Sequence, residues 1–462
     1  MIFYDDSADL EEHRVKYEFE DEDEYEYEYE YEFEENQHQL VGDIYNHCLY
    51  PTVSDALSYI IPLLIASVSF RILAQSRYIP VRVFHGGSIV FGLWVVQRYA
   101  SECLYLFLTL VTVTYLILQL PRHCPRSPAV GFSCICIMLY GEKWMDPTSW
   151  HKVRGVIMIA AMKVVAVAFD EVVAPLPGAL EYMGYVFCPA TSIFGPWISY
   201  KDYTALYGAV NWSLQRVLLA VGYLLLALFF LSVSNCWAEW IFADSKWKWF
   251  EAYGDALSFR CSHYFISYTS GSLAVLGGFS SLASTVTKPW SIELPRSLVQ
   301  VVIHWNIPMH TWLKIYVFRR SHVRFGKFGA VLLTYAASSL LHGLNFPLAA
   351  VLLSLGFYTY VEYQLRFLLA YVFDACIAAK NCADYKCIHK RTSSNCWWVS
   401  VINFIFSGLT VFHLAYLGLM FDTSEQQETG YSYTHTMDKW SSLGFASHWV
   451  VLATYFAYFL IK

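Results

Sequence analysis

The chain has 462 residues, of which 56% are hydrophobic and 15% charged, against roughly 25% charged in ordinary soluble domains. Aromatic residues make up 18%, with 16 Trp and 35 Tyr, the amphipathic rings favoured at membrane–water interfaces. A soluble enzyme of this length needs a far more polar surface, so the composition excludes one and indicates an all-α polytopic membrane protein.

Charge is unevenly placed. Residues 1–40 hold 17 Asp and Glu against Arg14 and Lys16, so against a net charge of −7 for the whole chain the remainder, 41–462, stands at +8. The block EDEDEYEYEYEYEFEE is of low complexity, and the like charges of its Glu/Tyr alternation would repel on one face of a strand. Residues 1–40 are therefore expected to be an acidic disordered tail, and 41–462 the membrane-embedded domain. No apolar core follows Met1, so the first membrane segment is expected to serve as the targeting signal.

A membrane span needs about 20 mostly apolar residues. Runs of that kind lie at 56–74, 103–120, 155–176, 217–242, 348–363, 397–421 and 445–461, with shorter or broken ones at 83–96, 131–141, 182–200, 264–279, 298–318 and 328–342. Eight to twelve membrane elements are expected from them. Irregular backbone at membrane depth is tolerated only where protein or a water-filled cavity surrounds it. ATSIFGPWISYKDY (190–203), with Gly195-Pro196, and HWNIPMHTWLK (304–314), with Pro308, are such places. They are expected to wall a buried chamber. Basic residues gather at Arg71, Arg77 and Arg82; at Arg122 and Arg126; at Lys143, Lys152 and Arg154; and at Lys314, Arg319, Arg320, Arg324 and Lys327, the excess typical of cytoplasmic loops.

Between Lys327 and Glu362 lie 34 residues without one Asp, Glu, Lys or Arg. As a single helix they would extend about 51 Å at 1.5 Å per residue, beyond a hydrocarbon core of roughly 30 Å. The run is expected to divide near residues 343–347, where Gly343, Asn345 and Pro347 cluster. That leaves His342 at the end of the first half and inside the membrane. An intramembrane ionisable residue is rare and costly, which makes it a functional candidate by default. The alternative is a neutral imidazole bonded to a carbonyl and holding two helices together.

Asn306 is the second candidate. Its amide offers two donors and an acceptor, suited to a developing oxyanion or to orienting a reacting carbonyl; the other reading is a helix cap before Pro308. His304 and His310 stand six residues apart, which matches no zinc signature, and no metal is expected there. Of the 12 Cys, Cys103, Cys134, Cys136 and Cys236 lie in or beside apolar runs, as small buried hydrophobes do. Cys376, Cys382, Cys387, His389 and Cys396 cluster in one loop, open to metal binding or to disulfides.

A His within a long apolar run, preceded by an Asn 36 residues upstream, resembles the layout of the membrane-bound O-acyltransferases. The resembling stretches are EYMGY, IFGPWISY, ELPRSLV, WNIPM, LLTYAASSLLHG, LAAVLLSLGFYTYVE, FHLAYLG and ASHWV, and they cover most of residues 181–450. The resemblance implies a multi-helix bundle around a buried reaction chamber in the endoplasmic reticulum membrane. It also implies no bound cofactor, with acyl-CoA (palmitoleoyl-CoA) as co-substrate from the cytosol and a serine hydroxyl of Wnt proteins as acceptor from the lumen. No nucleic acid is involved. Carried over residue by residue, His342 is the catalytic histidine and Asn306 the accompanying asparagine. Trp305, Tyr335 and Ser338 are expected as substrate-site neighbours by their proximity in sequence, Tyr335 two turns before His342 on the same helix face, with core packing the alternative for Ser338. Burial disfavours the charged form of an imidazole, so a neutral ring can take the serine proton as oxygen attacks the thioester. Two other readings remain: a related acyltransferase with a lipid or different protein acceptor, and an escort that binds Wnt proteins without making the ester.

Overall fold

The computed structural model describes residues 42–76, 78–121, 123–170, 175–208, 212–242, 246–343, 346–380, 382, 387–422 and 432–462. The acidic tail at 1–40 and Asn345 lie outside them. The chain divides into two compact units, Met1–Asp55 and Ala56–Lys462. Among the described residues the regular structure is helical, apart from one isolated bridge between Ala375 and Arg391.

The helices, in chain order, are α1 (Tyr50–Gln75), α2 (Val81–Tyr99), α3 (Leu104–Leu118), α4 (Arg126–Trp144), α5 (Pro147–Asp170), α6 (Ala179–Val186) and α7 (Tyr200–Thr204). Then follow α8 (Leu214–Ser232), α9 (Ala238–Phe242), α10 (Lys248–Leu276), α11 (Ser281–Ser284), α12 (Trp290–Glu293), α13 (Leu298–Trp305) and α14 (Ile307–Trp312). The last are α15 (Arg319–Leu341), α16 (Phe346–Val372), α17 (Trp397–Gly418), α18 (Tyr433–Ser442) and α19 (Ala446–Ile461). Five stretches are long and apolar enough to cross a membrane: Gly42–Gln75, Ser101–Leu118, Leu214–Phe242, Phe346–Val372 and Trp397–Gly418. These are the five among the described residues; α18 and α19, bent by 70° where they meet, pass the same test only when taken together as one broken span. Helices α2, α4, α5 and α10 are also long, at 19 to 29 residues, and α15 is broken at Gly326 (φ +67°); all five mix ionisable and small polar residues into their apolar sequence.

Lys163 on α5 shows how such a residue is accommodated. It is fully buried, and its Nζ donates to the carbonyls of Tyr185 and Val186 and to Thr191 Oγ1 at 2.9–3.2 Å. Tyr185 in turn donates to Ile198 O at 2.6 Å. Together they tie down the non-helical stretch between α6 and α7, which contains the cis Gly195-Pro196 bond and has no helical ladder to satisfy its own carbonyls. Arg71 departs from the loop placement expected from its charge. It is buried in α1, donates to Val275 O at 3.2 Å and stacks on the Trp212 ring at 4.2 Å.

The 34-residue apolar run divides where expected, with α15 ending at Leu341 and α16 beginning at Phe346. The two form an antiparallel hairpin. Lys327 lies over the Tyr363 ring at 4.4 Å, Phe328 meets Tyr360 at 5.4 Å, and Tyr335 packs on Gly356. His342 stands at the tip.

Candidate active site

The end of α15 sets the position of His342. Its N–H reaches back to the carbonyls of Ser338 and Ser339, each at 3.2 Å. Gly343 follows with φ +79°, a left-handed position that glycine takes without a Cβ penalty and that commonly ends helices. A Cβ at Gly343 would stand 2.5 Å from Glu142 Oε2 on α4. That carboxylate accepts from Trp150 Nε1 of α5 at 2.6 Å. One turn beyond Trp150, Arg154 has Glu142 as its charge partner and is one of two ionisable groups acting on His342. Arg154 is thus half-buried within a helix, rather than in the loop that the charge pattern suggested.

The other group is His263 on α10. Its ring lies parallel to Trp305, with centroids 4.4 Å apart. Its Nε2 is 2.9 Å from the Trp305 carbonyl and 3.4 Å from Ser267 Oγ. The next residue is Asn306, the hinge between α13 and α14. Its backbone is extended, and its Oδ1 accepts from Met309 N–H at 3.0 Å. The helix-cap reading of Asn306 therefore holds, and it is compatible with the other: with Oδ1 committed to the cap, the Nδ2 group keeps its two donors. The hinge itself is clamped. Ile307 N–H donates to Val286 O at 2.8 Å, and His304 O accepts from Lys288 N–H and Thr287 Oγ1 at 3.1 and 3.0 Å.

Among the described residues no hydrogen bond joins Asn306 to His342, and His263 is bonded to the residue before Asn306. Trp305 stands beside this group as the stacking partner of His263. Ser338 is buried one turn before His342, where its carbonyl helps end the helix. Tyr335 faces the hairpin interface, with Gly356 and Thr359 of α16 as neighbours. His304 Nδ1 is engaged by Gln300 O of its own helix at 2.9 Å.

Two ion pairs, one buried and one half-buried at Glu293, hold the helices that carry these residues. Arg260 on α10 forks onto both oxygens of Glu293 at 2.8 and 3.0 Å, and Tyr264 OH donates to the same carboxylate at 2.6 Å. Glu362 on α16 accepts from the Leu298 N–H at the start of α13 at 2.8 Å and from Arg366 at 3.1 Å. The sites of His263 and Asn306 are thus set by bidentate or multiply bonded charges, the arrangement that gives geometric definition in a low-dielectric interior.

A family model described as MBOAT, membrane-bound O-acyltransferase family, matches residues 104–382, a segment that includes every residue of this group. The chain is 37% identical over 453 residues to the "Protein-serine O-palmitoleoyltransferase porcupine" of Homo sapiens, across 90% of this chain and 96% of that one. The chain belongs to the membrane-bound O-acyltransferase family. The protein of the same name from Anopheles gambiae is 34% identical over 468 residues, across 91% and 94% of the two chains. "Lysophospholipid acyltransferase 2" of Arabidopsis thaliana is 24% identical over 306 residues, across 52% of this chain and 63% of its own. The family resemblance read from the spacing of Asn306 and His342 is borne out.

Sequence reasoning missed His263, Glu142 and Trp150. They come from three different helices, and no spacing connects them to Asn306 or His342. The available signal was compositional: His263 is an ionisable residue between the apolar aromatics of CSHYFISY, the same feature that singled out His342.

Proposed function

We propose that this chain is a protein-serine O-palmitoleoyltransferase of the endoplasmic reticulum membrane, taking palmitoleoyl-CoA as donor and a serine hydroxyl of Wnt proteins as acceptor. His342 acts as the general base. It takes the serine proton as Oγ attacks the thioester carbonyl, and returns it to the coenzyme A sulfur as the C–S bond breaks. Asn306 Nδ2 supplies a donor for the oxyanion that forms on the carbonyl oxygen. Trp305 and the apolar faces around it exclude bulk water, which protects the thioester from hydrolysis. One observation carries the reading: His342 ends α15 at the tip of the apolar hairpin, while Asn306, its Oδ1 committed to a helix cap, keeps its amide donors beside the His263–Trp305 stack.

The test is acyl transfer by purified protein in proteoliposomes, with labelled palmitoleoyl-CoA and a serine-containing Wnt peptide. Wild type should label the peptide, and folded His342→Ala should not. Equal labelling by both would make His342 structural. The lysophospholipid acyltransferase likeness supports a second reading, a lipid acceptor, which predicts labelled lipid in the vesicles and an unlabelled peptide.

A further inference from the structure

The loop between α16 and α17 holds a feature that acyl transfer does not use. The sulfur atoms of Cys376, Cys382 and Cys387 all lie within 4.8 Å of one another, and all three thiols are free. We propose that this loop is a structural zinc site, with Cys376, Cys382 and Cys387 as thiolate ligands and His389 completing a Cys3His set.

Four observations support it. Zinc–sulfur bonds of about 2.3 Å in a tetrahedron place sulfurs roughly 3.8 Å apart, so the cluster needs only a small contraction to close on an ion. Convergence of three thiols also suits a metal better than a disulfide, which would join two and strand the third. His389 lies two residues beyond Cys387, and its backbone amide hydrogen-bonds that thiol. Its Nδ1 lies 3.6 Å from Asp374 Oδ1, which leaves Nε2 for a metal; the ring stands outside the three-sulfur cluster and must swing in as the ion binds. Lastly, Arg296 Nη2 is 4.0 Å from Cys376 Sγ, a cation placed to offset the negative charge of three thiolates.

Sidedness favours the same reading. Because the part of α15 after Gly326 and α16 are an antiparallel hairpin, the loop after α16 emerges on the same side as Lys327, which lies over the Tyr363 ring toward the end of α16, next to the basic run that begins at Lys314. An excess of Lys and Arg marks the cytosolic face, and the cytosol keeps thiols reduced. The loop is also tied to the machinery above it. Arg296 donates to Ala378 O and Cys376 O at 3.1 and 2.7 Å, Ser297 Oγ to Ala379 O at 2.8 Å, and Arg366 Nε to Ile377 O at 2.8 Å. Arg296 and Ser297 lead directly into α13, which ends at Trp305. A metal that closes the loop therefore braces the helix leading to Asn306. On binding, the three thiol protons pass to solvent, so uptake weakens as pH falls.

The experiment is elemental analysis of the full-length protein, purified in detergent without chelator. Wild type and Cys124→Ser should carry stoichiometric zinc, while Cys382→Ser and His389→Ala should lose it to a mild chelator that leaves wild type loaded. Should the variants fail to fold, wild type alone decides. Stripping its zinc with a strong chelator should lower its unfolding temperature and expose three additional alkylatable thiols. Refilling with Co2+ should produce thiolate-to-cobalt charge-transfer absorption. Folded wild type without zinc, or with a disulfide among Cys376, Cys382 and Cys387 in an unreduced digest, would overturn the site. A His389→Ala protein that holds zinc as firmly as wild type would overturn the fourth ligand.

Discussion

The His263 ring lies flat on Trp305, with 4.4 Å between centroids and 8° between planes, while its Nε2 engages the Trp305 backbone carbonyl at 2.9 Å. One side chain thus holds Trp305 by its face and by its main chain, and through it fixes the residue before Asn306. His263→Phe keeps a ring to stack but leaves the carbonyl without its partner, a loss of about 1–3 kcal/mol for a buried acceptor. We expect a lower unfolding temperature and acyl transfer slowed about a hundredfold, the scale of a misplacement of about 1 Å. His263→Gln, which can still bond the carbonyl, should recover part of the rate. Single-turnover transfer and thermal unfolding of all three proteins check this.

The two roles of Asn306 separate by substitution. Asp caps helices as well as Asn does but has no amide donors, so Asn306→Asp should fold with wild-type stability and lose kcat by about 10²–10³-fold, as for removal of an oxyanion donor. Asn306→Ala should lose the same factor and also about 1 kcal/mol of stability, the usual contribution of a cap. Near-wild-type kcat in Asn306→Asp would reduce the residue to a cap.

Gly343 permits the turn that brings His342 to the hairpin tip. Gly343→Ala forces an L-residue to φ +79° and drives a methyl group to 2.5 Å from Glu142 Oε2. The backbone term alone is about 1–2 kcal/mol. Unfolding temperature and transfer rate should fall together, because the displaced residue adjoins His342. A stable but active Gly343→Ala protein would mean that the tip tolerates movement.

Arg366 is wholly buried and bonded to Glu362, Asn403 and the carbonyls of Arg296, Ile377 and Ala378. Arg366→Met leaves the Glu362 charge without its ion-pair partner, an effect of about 3–5 kcal/mol for a broken buried pair. Combining it with Glu362→Gln removes the stranded charge while keeping an acceptor for Leu298 N–H. The double variant should therefore be more stable than Arg366→Met alone, as read by thermal unfolding in detergent.

Much of the bundle was legible because burial in lipid and helix length are written locally. The division of the run at Gly343 follows from its length against membrane thickness, and the hinge at Asn306 from Pro308. The tertiary partners were not legible. Arg71 and Arg154 look like loop charges until Val275 O, 204 residues away, and Glu142, on the preceding helix, appear as their partners. Tyr335 lies two turns before His342 on one helix, yet its ring is taken up by Gly356, because the hairpin partner and not the helix period decides what a side chain meets. The three converging thiols depended on how Arg296 and Arg366 draw the loop inward, which no spacing records.

On the proposed role of Asn306 as oxyanion donor, its cap has a consequence for the timing of catalysis. A free amide at an active site rotates and must be ordered as the reaction proceeds, whereas one whose oxygen already closes a helix turn has its torsion angles set when the protein folds. Its donors are aimed before any substrate arrives. Reorganisation that would otherwise fall within the activation barrier is thereby moved into the folding of α14.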